Sequence, residues 1–327
     1  MGNGGHVTAA YKKEYNLDSD DKERLFTIFY NNLKTYQYKK HIDLGVFKDV
    51  TILNIPVQTH ILGLKRVILP KESNPFKKLF DNLSVDYSLQ NNLELYHFKS
   101  ISRAIEILAT QRIKLYNLKS QSQKDYSELK EFFHRYVDST NNHPINDNMD
   151  SSFIFCFTND IKNKKAWQYH AENETGVAFK FQLHLTKENT LGIEKKIRGV
   201  YYDKGYDFDV FNNIFHQAFD DLKIRLDFLN KDFSWFGSFY KKGVYKWEQE
   251  TRLFLNIQKD VKINAIENFA LGNRLKKYSF IEAPLKNNIF ELNISQIILG
   301  INTSEIDKSI IESMAKKLNI EVIQHSK

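Results

Sequence analysis

The chain has few of the residues that build cross-linked, repetitive or metal-bound proteins. Its one cysteine, Cys156, excludes an intramolecular disulfide framework and a cysteine-rich zinc site. Only five prolines and thirteen glycines occur in 327 residues, which argues against long linkers and low-complexity tails. The ten histidines follow neither an H-x-H nor an HExxH spacing. We therefore expect no metal site.

Long apolar runs are missing as well. The longest candidate, Phe153–Phe157, has five residues, whereas a membrane span needs about 20. The N-terminus has no basic region followed by an apolar stretch, which a secretory signal requires. Gly2 would suit myristoylation, but His6 stands where that motif needs Ser or Thr. We expect a cytoplasmic protein without a membrane partner.

The net charge of +7 allows two interpretations. A basic surface suits a nucleic-acid partner, because lysines and arginines neutralise phosphates. The alternative is a solvated, lysine-rich surface without a partner. The chain contains no arginine-rich run, no RNA-binding aromatic signature and no zinc finger that would decide between them.

The first part of the chain, residues 1–90, is interpreted as an N-terminal extension or a small α+β domain. Leu25, Ile28, Phe29 and Leu33 recur at helical spacing and predict a helix over 25–39. Residues 50–53 and 60–69 are predicted to form strands.

Residues 91–327 alternate between predicted strands and helices, so the fold class is α+β with a mixed β-sheet core. Each helix shows one apolar face, and each strand is short and apolar. Strands are predicted at 93–98, 153–158, 176–181, 198–202, 251–255, 296–300 and 320–323. Helices are predicted after Ser100, over 125–137, around Trp167 and Tyr169, over 211–229 and from Ser304.

Three positions in this region carry chemistry, and each also has a simpler structural explanation. His97 follows an apolar strand and is either a binding residue or a packed core histidine. Thr158 ends the strand that begins near Phe153, and it either supports a pocket or simply terminates the strand.

The third position is the pair Glu248 and Glu250. Alternation along a strand would put both carboxylates on one face, where they repel each other or share a cation. The simpler explanation is an exposed sheet edge on which Arg252 is the partner.

Taken in order, the segments of residues 93–327 resemble a bacterial domain-of-unknown-function family, numbered 2971. The members share a Tyr-His-aromatic opening, a Ser-Phe-Ser strand, a Trp-x-x-Tyr turn with Gly-Val-x-x-x-Phe, a Trp…Glu-x-Glu-x-Arg segment and an Ile-Leu-Gly strand. The corresponding segments here are Tyr96–Phe98, Cys156–Thr158, Trp167–Tyr169, Gly176–Phe181, Trp247–Arg252 and Ile298–Gly300. Asp125–Glu128 is a degraded form of the family's acidic patch.

This arrangement is similar to that of ADP-ribosyltransferases, and the resemblance implies their fold, with an added N-terminal region. It implies NAD as co-substrate, with no metal. Glu250 would stabilise the ribosyl cation, and Glu248 would act on the acceptor. The resemblance implies that the remaining site residues bind NAD: Tyr96, His97, Thr158, Trp167, Tyr169 and Arg252. One departure is Lys99, which stands where such enzymes often have Ser or Thr and could approach a phosphate.

The leading hypothesis is thus an NAD-dependent ADP-ribosyltransferase, either a bacterial toxin or an anti-phage defence effector. The acceptor would be nucleic acid, with single-stranded RNA favoured, or a protein, and an antitoxin is a possible partner. Two alternatives stay open. One is a non-catalytic module that binds nucleic acid or a partner, and the other is a metal-independent nuclease that uses His97 with Glu248 or Glu250.

Overall fold

The chain forms two compact units. A computed structural model describes residues 84–118, 151–187, 192–203, 237–258, 261, 269–274 and 278–326, with backbone only at 203, 271–274 and 278–279. It also describes the backbone of 11–16, 56–60, 65–69 and 224–228. Unit 1 takes in residues 1–83, 132–143 and 203–236, and unit 2 takes in 84–131, 144–202 and 237–327. The predicted division into 1–90 and 91–327 stays a prediction.

Unit 1 contains a four-stranded sheet with the order β1-β2-β3-β10. The strands are β1 (Tyr11–Asn16), β2 (Pro56–His60), β3 (Lys65–Leu69) and β10 (Ile224–Phe228). β1, β2 and β3 pair antiparallel in turn, whereas β10 runs parallel to β3.

The strand β10 corrects residues 224–228 of the helix that was predicted over 211–229, and the rest of that prediction lies outside the described residues. Residues 224–228 alternate apolar and polar side chains in sequence, which is the period of a strand and not of a helix. The predicted helices over 25–39 and 125–137 and the predicted strand at 50–53 lie outside the described residues, as does Asp125–Glu128.

Unit 2 is organised around a ten-stranded mixed sheet, most of whose pairs are antiparallel. The main path of the sheet has the order β13-β14-β5-β6-β4-β7-β15-β16. Off this path, β12 pairs with β6 on one side and with β8 on the other. The strands of this sheet are β4 (Leu93–Lys99), β5 (Arg112–Asn117), β6 (Ser152–Thr158), β7 (Val177–Leu185), β8 (Ile193–Gly199), β12 (Glu250–Ile257), β13 (Ala270–Arg274), β14 (Tyr278–Pro284), β15 (Phe290–Leu299) and β16 (Glu321–Gln324). A two-stranded pair, β9 (Tyr201–Asp203) with β11 (Tyr240–Lys242), accompanies it.

The described helices of unit 2 lie where the sequence predicts helices. α1 (Ile101–Thr110) buries Ala104, Ile107 and Leu108, and α2 (Lys164–Tyr169) buries Ala166 and Trp167. α3 (Glu305–Lys317) begins at Ser304, whose hydroxyl oxygen accepts the Asp307 N–H as the capping pattern predicts. A short 3₁₀ helix, η1 (Gly243–Glu248), leads into β12.

The main core lies on one face of the sheet under α1 and α3. Strand alternation supplies it, because every second side chain of a strand points to the same face. Its fully buried members include Leu95, Phe179, Leu253, Leu255 and Ile297. A smaller cluster, formed around Trp167, Phe98, Ala178 and Ile298, is distinct from this core.

The strand β6 changes its neighbour along one edge. Near its C-terminal end it pairs with β4 through one register position, Tyr96 opposite Thr158. Near its N-terminal end it pairs with β5, where Tyr116 lies opposite Ile154. β4 and β5 therefore part from each other alongside the middle of β6, and α1 connects them.

A left-handed turn follows α2 and fits against two glycines. Glu172, Asn173 and Glu174 all have positive φ, at 51°, 58° and 67°. A Cβ on Gly300 would lie 2.0 Å from the Glu174 carbonyl oxygen, so only glycine allows this approach. The Gly300 N–H donates to the Gly176 carbonyl over 2.9 Å. The glycines of the Gly-Val and Ile-Leu-Gly segments thus meet in space.

These elements establish an α+β fold with a mixed, mostly antiparallel sheet, as predicted. The finer expectation, an ADP-ribosyltransferase fold, stays a prediction. Among the described residues, none of the helices has the length and apolar character that crossing a membrane requires.

Replacing Gly176 by alanine should destabilise unit 2. Its Cβ would lie 2.2 Å from the Lys99 carbonyl oxygen, and a backbone atom cannot move aside cheaply. We expect a loss of about 1–3 kcal/mol in the free energy of unfolding, measured in urea. Gly199→Ala is the matched control, because its Cβ would meet nothing closer than 3.8 Å. Equal losses for the two variants would contradict the steric explanation.

Candidate functional site

The candidate site is built at the start of β12, where Glu250 is the first residue of the strand. β12 pairs with β6 on one side and β8 on the other, so it lies inside the sheet. The interpretation of Glu248 and Glu250 as an exposed edge is therefore wrong. Side chains alternate along β12, and Thr251 and Leu253 point to the face of the sheet that carries the main core. Glu250 and Arg252 therefore lie on the opposite face.

Two cations hold the Glu250 carboxylate. Arg252 Nε lies 2.8 Å from Oε1, and its Nη2 lies 3.1 Å from Oε2, which is a bidentate pair. Lys241 Nζ lies 2.8 Å from Oε2. All three side chains are at least nine-tenths buried. Arg252 Nη1 also donates to the Ser238 carbonyl, so the guanidinium is fixed from both sides.

Glu248 joins the same cluster through Lys241, whose ammonium contacts both carboxylates. The route differs from the predicted strand alternation. Glu248 ends η1, and Gln249 follows with a φ of 43°, so the strand begins only at Glu250. The left-handed backbone of Gln249, and not the alternation of side chains along a strand, thus brings the two carboxylates to one cation.

The cluster separates the pKa values of its two acids. Burial raises the pKa of Glu250, but Arg252 and Lys241 outweigh it, and the net effect lowers this pKa well below the usual range. Burial also raises the pKa of Glu248, and the Glu250 charge adds to that, so the net direction for Glu248 is upward despite Lys241. One carboxylate therefore holds its charge firmly, while the other takes up a proton more readily.

Tyr96, Thr158 and Glu250 stand side by side across three strands. Thr158 is opposite Tyr96 on β4 and opposite Glu250 on β12. The Thr158 hydroxyl accepts the Asp160 N–H at 3.3 Å, which is the turn that ends the strand. The structure thus supports the strand-ending role of Thr158 and also places it next to the carboxylate.

His97 lies on the other face, inside the main core. Its ring packs against Phe155 at a centroid distance of 4.2 Å and against Phe157 and Phe181. Its Nδ1 is 2.7 Å from the Cys156 carbonyl, so Nδ1 carries the proton and donates it. Nε2 is buried with no hydrogen-bond partner in the part of the chain that the structure describes. Burial, and after it Lys99, lowers the pKa of His97, so the imidazole is neutral.

The two aromatic residues of the Trp-x-Tyr turn have different surroundings. Trp167 is fully buried, donates its Nε1–H to the Ile161 carbonyl and stacks on His325. The Trp167 ring is therefore inaccessible to a ligand. Tyr169 is 63% exposed, and its ring lies 5.6 Å from that of Trp247 on η1. Of this pair, Tyr169 presents a ring to a ligand.

A cleft of about 280 Å³ opens where β4 and β5 part. Its lining combines cations with aromatic rings: Lys99, Arg103, Arg112, Lys114, Tyr116, Phe155, Tyr169 and His170. Three of these cations are paired with acids that also line the cleft: Glu106 contacts Arg103 and Lys114, and Glu282 contacts Lys114 and Arg112. The His170 ring, which lines the cleft, stacks on Trp247 at a centroid distance of 6.3 Å, and Trp247 precedes Glu248, so the cleft lies beside the end of η1.

Two members of the cluster were missed by the sequence analysis. Lys241 is separated from Glu248 by η1, and no local spacing marks it as a partner. The Tyr202 hydroxyl accepts the Glu250 N–H over 2.7 Å. Burial, with the Glu250 charge, raises the pKa of Tyr202, so the phenol stays protonated. A cationic partner was expected beside the acidic pair, but the sequence pattern pointed only to Arg252.

Comparison with known proteins finds no family model, no curated protein and no solved structure that matches this chain. The resemblance to family 2971 therefore stays a prediction. Among the residues that the structure describes, no group of three or more His, Cys, Asp or Glu side chains could hold a metal ion.

Glu250→Gln should lower stability at neutral pH, because it leaves two buried cations without their shared anion. We expect a loss of about 3–5 kcal/mol in the free energy of unfolding. Glu312→Gln, at an exposed position of α3, is the control and should stay within about 0.5 kcal/mol of wild type.

The free energies of unfolding of wild type and Glu250→Gln should approach each other in acid. A lowered pKa in the folded state contributes stability above the unfolded pKa of about 4.3 and loses it as the pH falls further. The stability gap between wild type and Glu250→Gln should therefore narrow below about pH 4.3. A gap that stays constant down to the acid unfolding limit would mean that the ion pairs do not set the pKa of Glu250.

His97→Phe should test whether the imidazole is packed or functional. Phenylalanine keeps an aromatic ring among Phe155, Phe157 and Phe181 but loses the bond to the Cys156 carbonyl. We expect a cost of about 0.5–1.5 kcal/mol in thermal or urea unfolding. Loss of NAD affinity at an unchanged melting temperature would instead reveal the cofactor contact that the resemblance implies.

Proposed function

We propose that this protein is an NAD-dependent ADP-ribosyltransferase whose reaction takes place beside Glu250 and Glu248. The observation that carries the proposal is the pair of carboxylates that share Lys241 while their pKa values move in opposite directions. Two acids whose surroundings push their pKa values apart are typical of a site that needs one fixed anion and one proton carrier.

In the proposed reaction, the bond between the ribose C1′ and the nicotinamide nitrogen breaks, and its electron pair leaves with nicotinamide. Positive charge develops on the ribose, and the Glu250 anion stabilises it. The acceptor then forms a bond to C1′ and releases its proton to Glu248. NAD and the acceptor thus become ADP-ribosylated acceptor, nicotinamide and one proton.

In this scheme Glu250 is effective because its ion pairs hold the carboxylate in a fixed orientation before the ribose becomes charged. Together with Glu248, Lys241 and Arg252 it forms a group of two anions and two cations, so the cluster has no large net charge. A bidentate guanidinium holds the carboxylate in one geometry, and a preorganised dipole needs no rearrangement when charge develops. Arg252 is thus assigned to positioning Glu250, and the direct NAD contact that the resemblance implies for it is set aside because Arg252 is buried.

The cleft between β4 and β5 is the proposed place for NAD. Lys99 lines it next to the N-terminus of α1, where backbone N–H groups and the helix dipole favour an anion such as the pyrophosphate. Tyr169 is the ring that would stack on nicotinamide, since Trp167 is covered. Tyr96 and Thr158 stand beside Glu250 on neighbouring strands and are not among the residues that line this cleft.

A second candidate function is a non-catalytic module that binds a phosphate-bearing ligand in the same cleft. The observation that favours it is the enclosure of Glu250, which is 7% exposed and has both oxygens in ion pairs. Such a carboxylate can be structural only. NAD turnover separates the two candidates, because a binding module releases no nicotinamide.

Nicotinamide release from NAD is the direct test. Wild type should release it, and Glu250→Gln should be slower by about 100- to 1,000-fold, the usual effect of removing one group that stabilises the transition-state charge. Because Glu250→Gln also costs stability, the assay belongs at a temperature where circular dichroism shows a folded variant. Glu312→Gln is the control and should keep the wild-type rate.

Glu248→Gln should give a different profile. Hydrolysis of NAD by water should persist, whereas transfer to an acceptor should fall, because Glu248 takes the acceptor proton. Wild-type transfer should rise with pH through the raised pKa of Glu248, since only the carboxylate form accepts a proton. Full turnover by Glu250→Gln, or no nicotinamide release by wild type, would leave the binding module as the better account.

The biological setting is proposed from the resemblance alone. A cytoplasmic toxin or an anti-phage effector that modifies RNA or protein would suit this chemistry, and a toxin would be accompanied by an antitoxin.

A further inference from the structure

The surface formed by α2 and η1 is basic and carries an aromatic ring. Lys162, Lys164 and Lys165 are exposed at the start of α2, and Lys246 is exposed on η1. The Asn163 amide donates to the Trp247 carbonyl and ties the two elements together. We call these four lysines with Trp247 the α2–η1 surface.

Trp247 lies within this basic environment. Lys165 Nζ stands 5.4 Å above the ring centroid, a cation–π contact. The ring is half-buried, and Tyr169 and His170 lie against it. Within 162–170 the sequence has three lysines and no Asp or Glu. Of the acids nearby in sequence, Asp160 accepts the Lys162 backbone N–H and Glu248 contacts Lys241.

We propose that the α2–η1 surface binds single-stranded RNA, with a base stacked on Trp247 and the lysines on neighbouring phosphates. An aromatic ring among cations suits a single strand, because each unpaired base can stack on the ring and each phosphate can contact a cation. A duplex keeps its bases stacked on each other and would use the lysines only.

This proposal deepens the proposed function in one respect. Trp247 and Glu248 are the last two residues of η1, so a nucleotide held on Trp247 would lie at the end of the helix that carries the carboxylate proposed to take the acceptor proton. Tyr169 is left out of the surface because it lines the cleft assigned to NAD. Binding of RNA is independent of turnover and can be measured without NAD.

The first test uses charge. Lys164→Gln with Lys165→Gln should weaken binding of a fluorescein-labelled oligouridylate, measured by anisotropy between about 50 and 200 mM salt. The slope of log affinity against log salt should become shallower by about 1.4, because each phosphate contact on a single strand contributes about 0.7. Lys316→Gln with Lys317→Gln, two exposed lysines of α3, removes the same charge and should leave affinity and slope nearly unchanged.

The second test uses the ring. Trp247→Leu should weaken binding by about 5- to 100-fold with an unchanged salt slope, the expected loss of one stacked base. Trp247→Phe should restore most of the affinity, because a phenyl ring still stacks. Duplex DNA should compete poorly against the labelled strand.

Several results would overturn the proposal. Equal losses in the α2 and α3 lysine pairs would show that only net charge attracts RNA. Wild-type affinity in Trp247→Leu, or equal competition by duplex, would show that no base stacks. Displacement of the RNA by polyglutamate at lower concentration than by unlabelled RNA would identify an acidic protein as the partner.

The proposed function can fail separately. Nicotinamide release to water should be the same in the α2 lysine variant as in wild type. If wild type releases no nicotinamide but RNA binding shows both signatures, the surface stands and the enzyme assignment falls. If nicotinamide is released and RNA does not bind, the enzyme assignment stands and the acceptor is not held here.

Discussion

A buried arginine in an interior strand is the constraint on which the site depends. Arg252 is almost fully enclosed, and a lone charge there would cost several kcal/mol in lost hydration. Glu250 meets that need two residues earlier on the same face of β12, and the Ser238 carbonyl takes the remaining donor. Lys241 then adds a second buried cation, which the second carboxylate, Glu248, balances. The two cations and the two carboxylates thus balance each other, and this balance determines where each side chain lies and which protonation state it favours.

The sheet separates two environments that lie back to back. On one face, phenylalanines enclose His97 and exclude water, so its imidazole stays neutral. On the other face, the ion pairs occupy the ends of β6 and β12. The cleft forms where β4 and β5 part, at the one place where the neighbours of β6 change. Chemistry in this fold is therefore expected at a break in the strand ladder and not at the middle of either face.

Sequence patterns predicted the elements with strong periodicity and missed those that depend on distant partners. β4, β6, α1 and α3 were predicted within a few residues, because their apolar positions and caps are local signals. β10 was taken for a helix, since its pairing with β3 lies far away in sequence. Arg252 was recognised as a partner of the acidic pair, but Lys241 was not, because only the fold brings it to Glu248. Burial was the property that sequence described least well, as the enclosed ring of Trp167 shows.

The left-handed turn at Glu172–Glu174 has a consequence for how this protein can diversify. The Glu174 backbone leaves no room for a Cβ on Gly300, the Lys99 carbonyl leaves none on Gly176 just before β7, and Glu172 lines the cleft. Surface loops usually tolerate insertions and so are the places where related proteins acquire new ligand preferences. Here the length of the loop is set by the glycines, so an inserted residue would separate α2 from β7. Variation at this rim of the cleft is confined to exchanging side chains on an unchanged backbone.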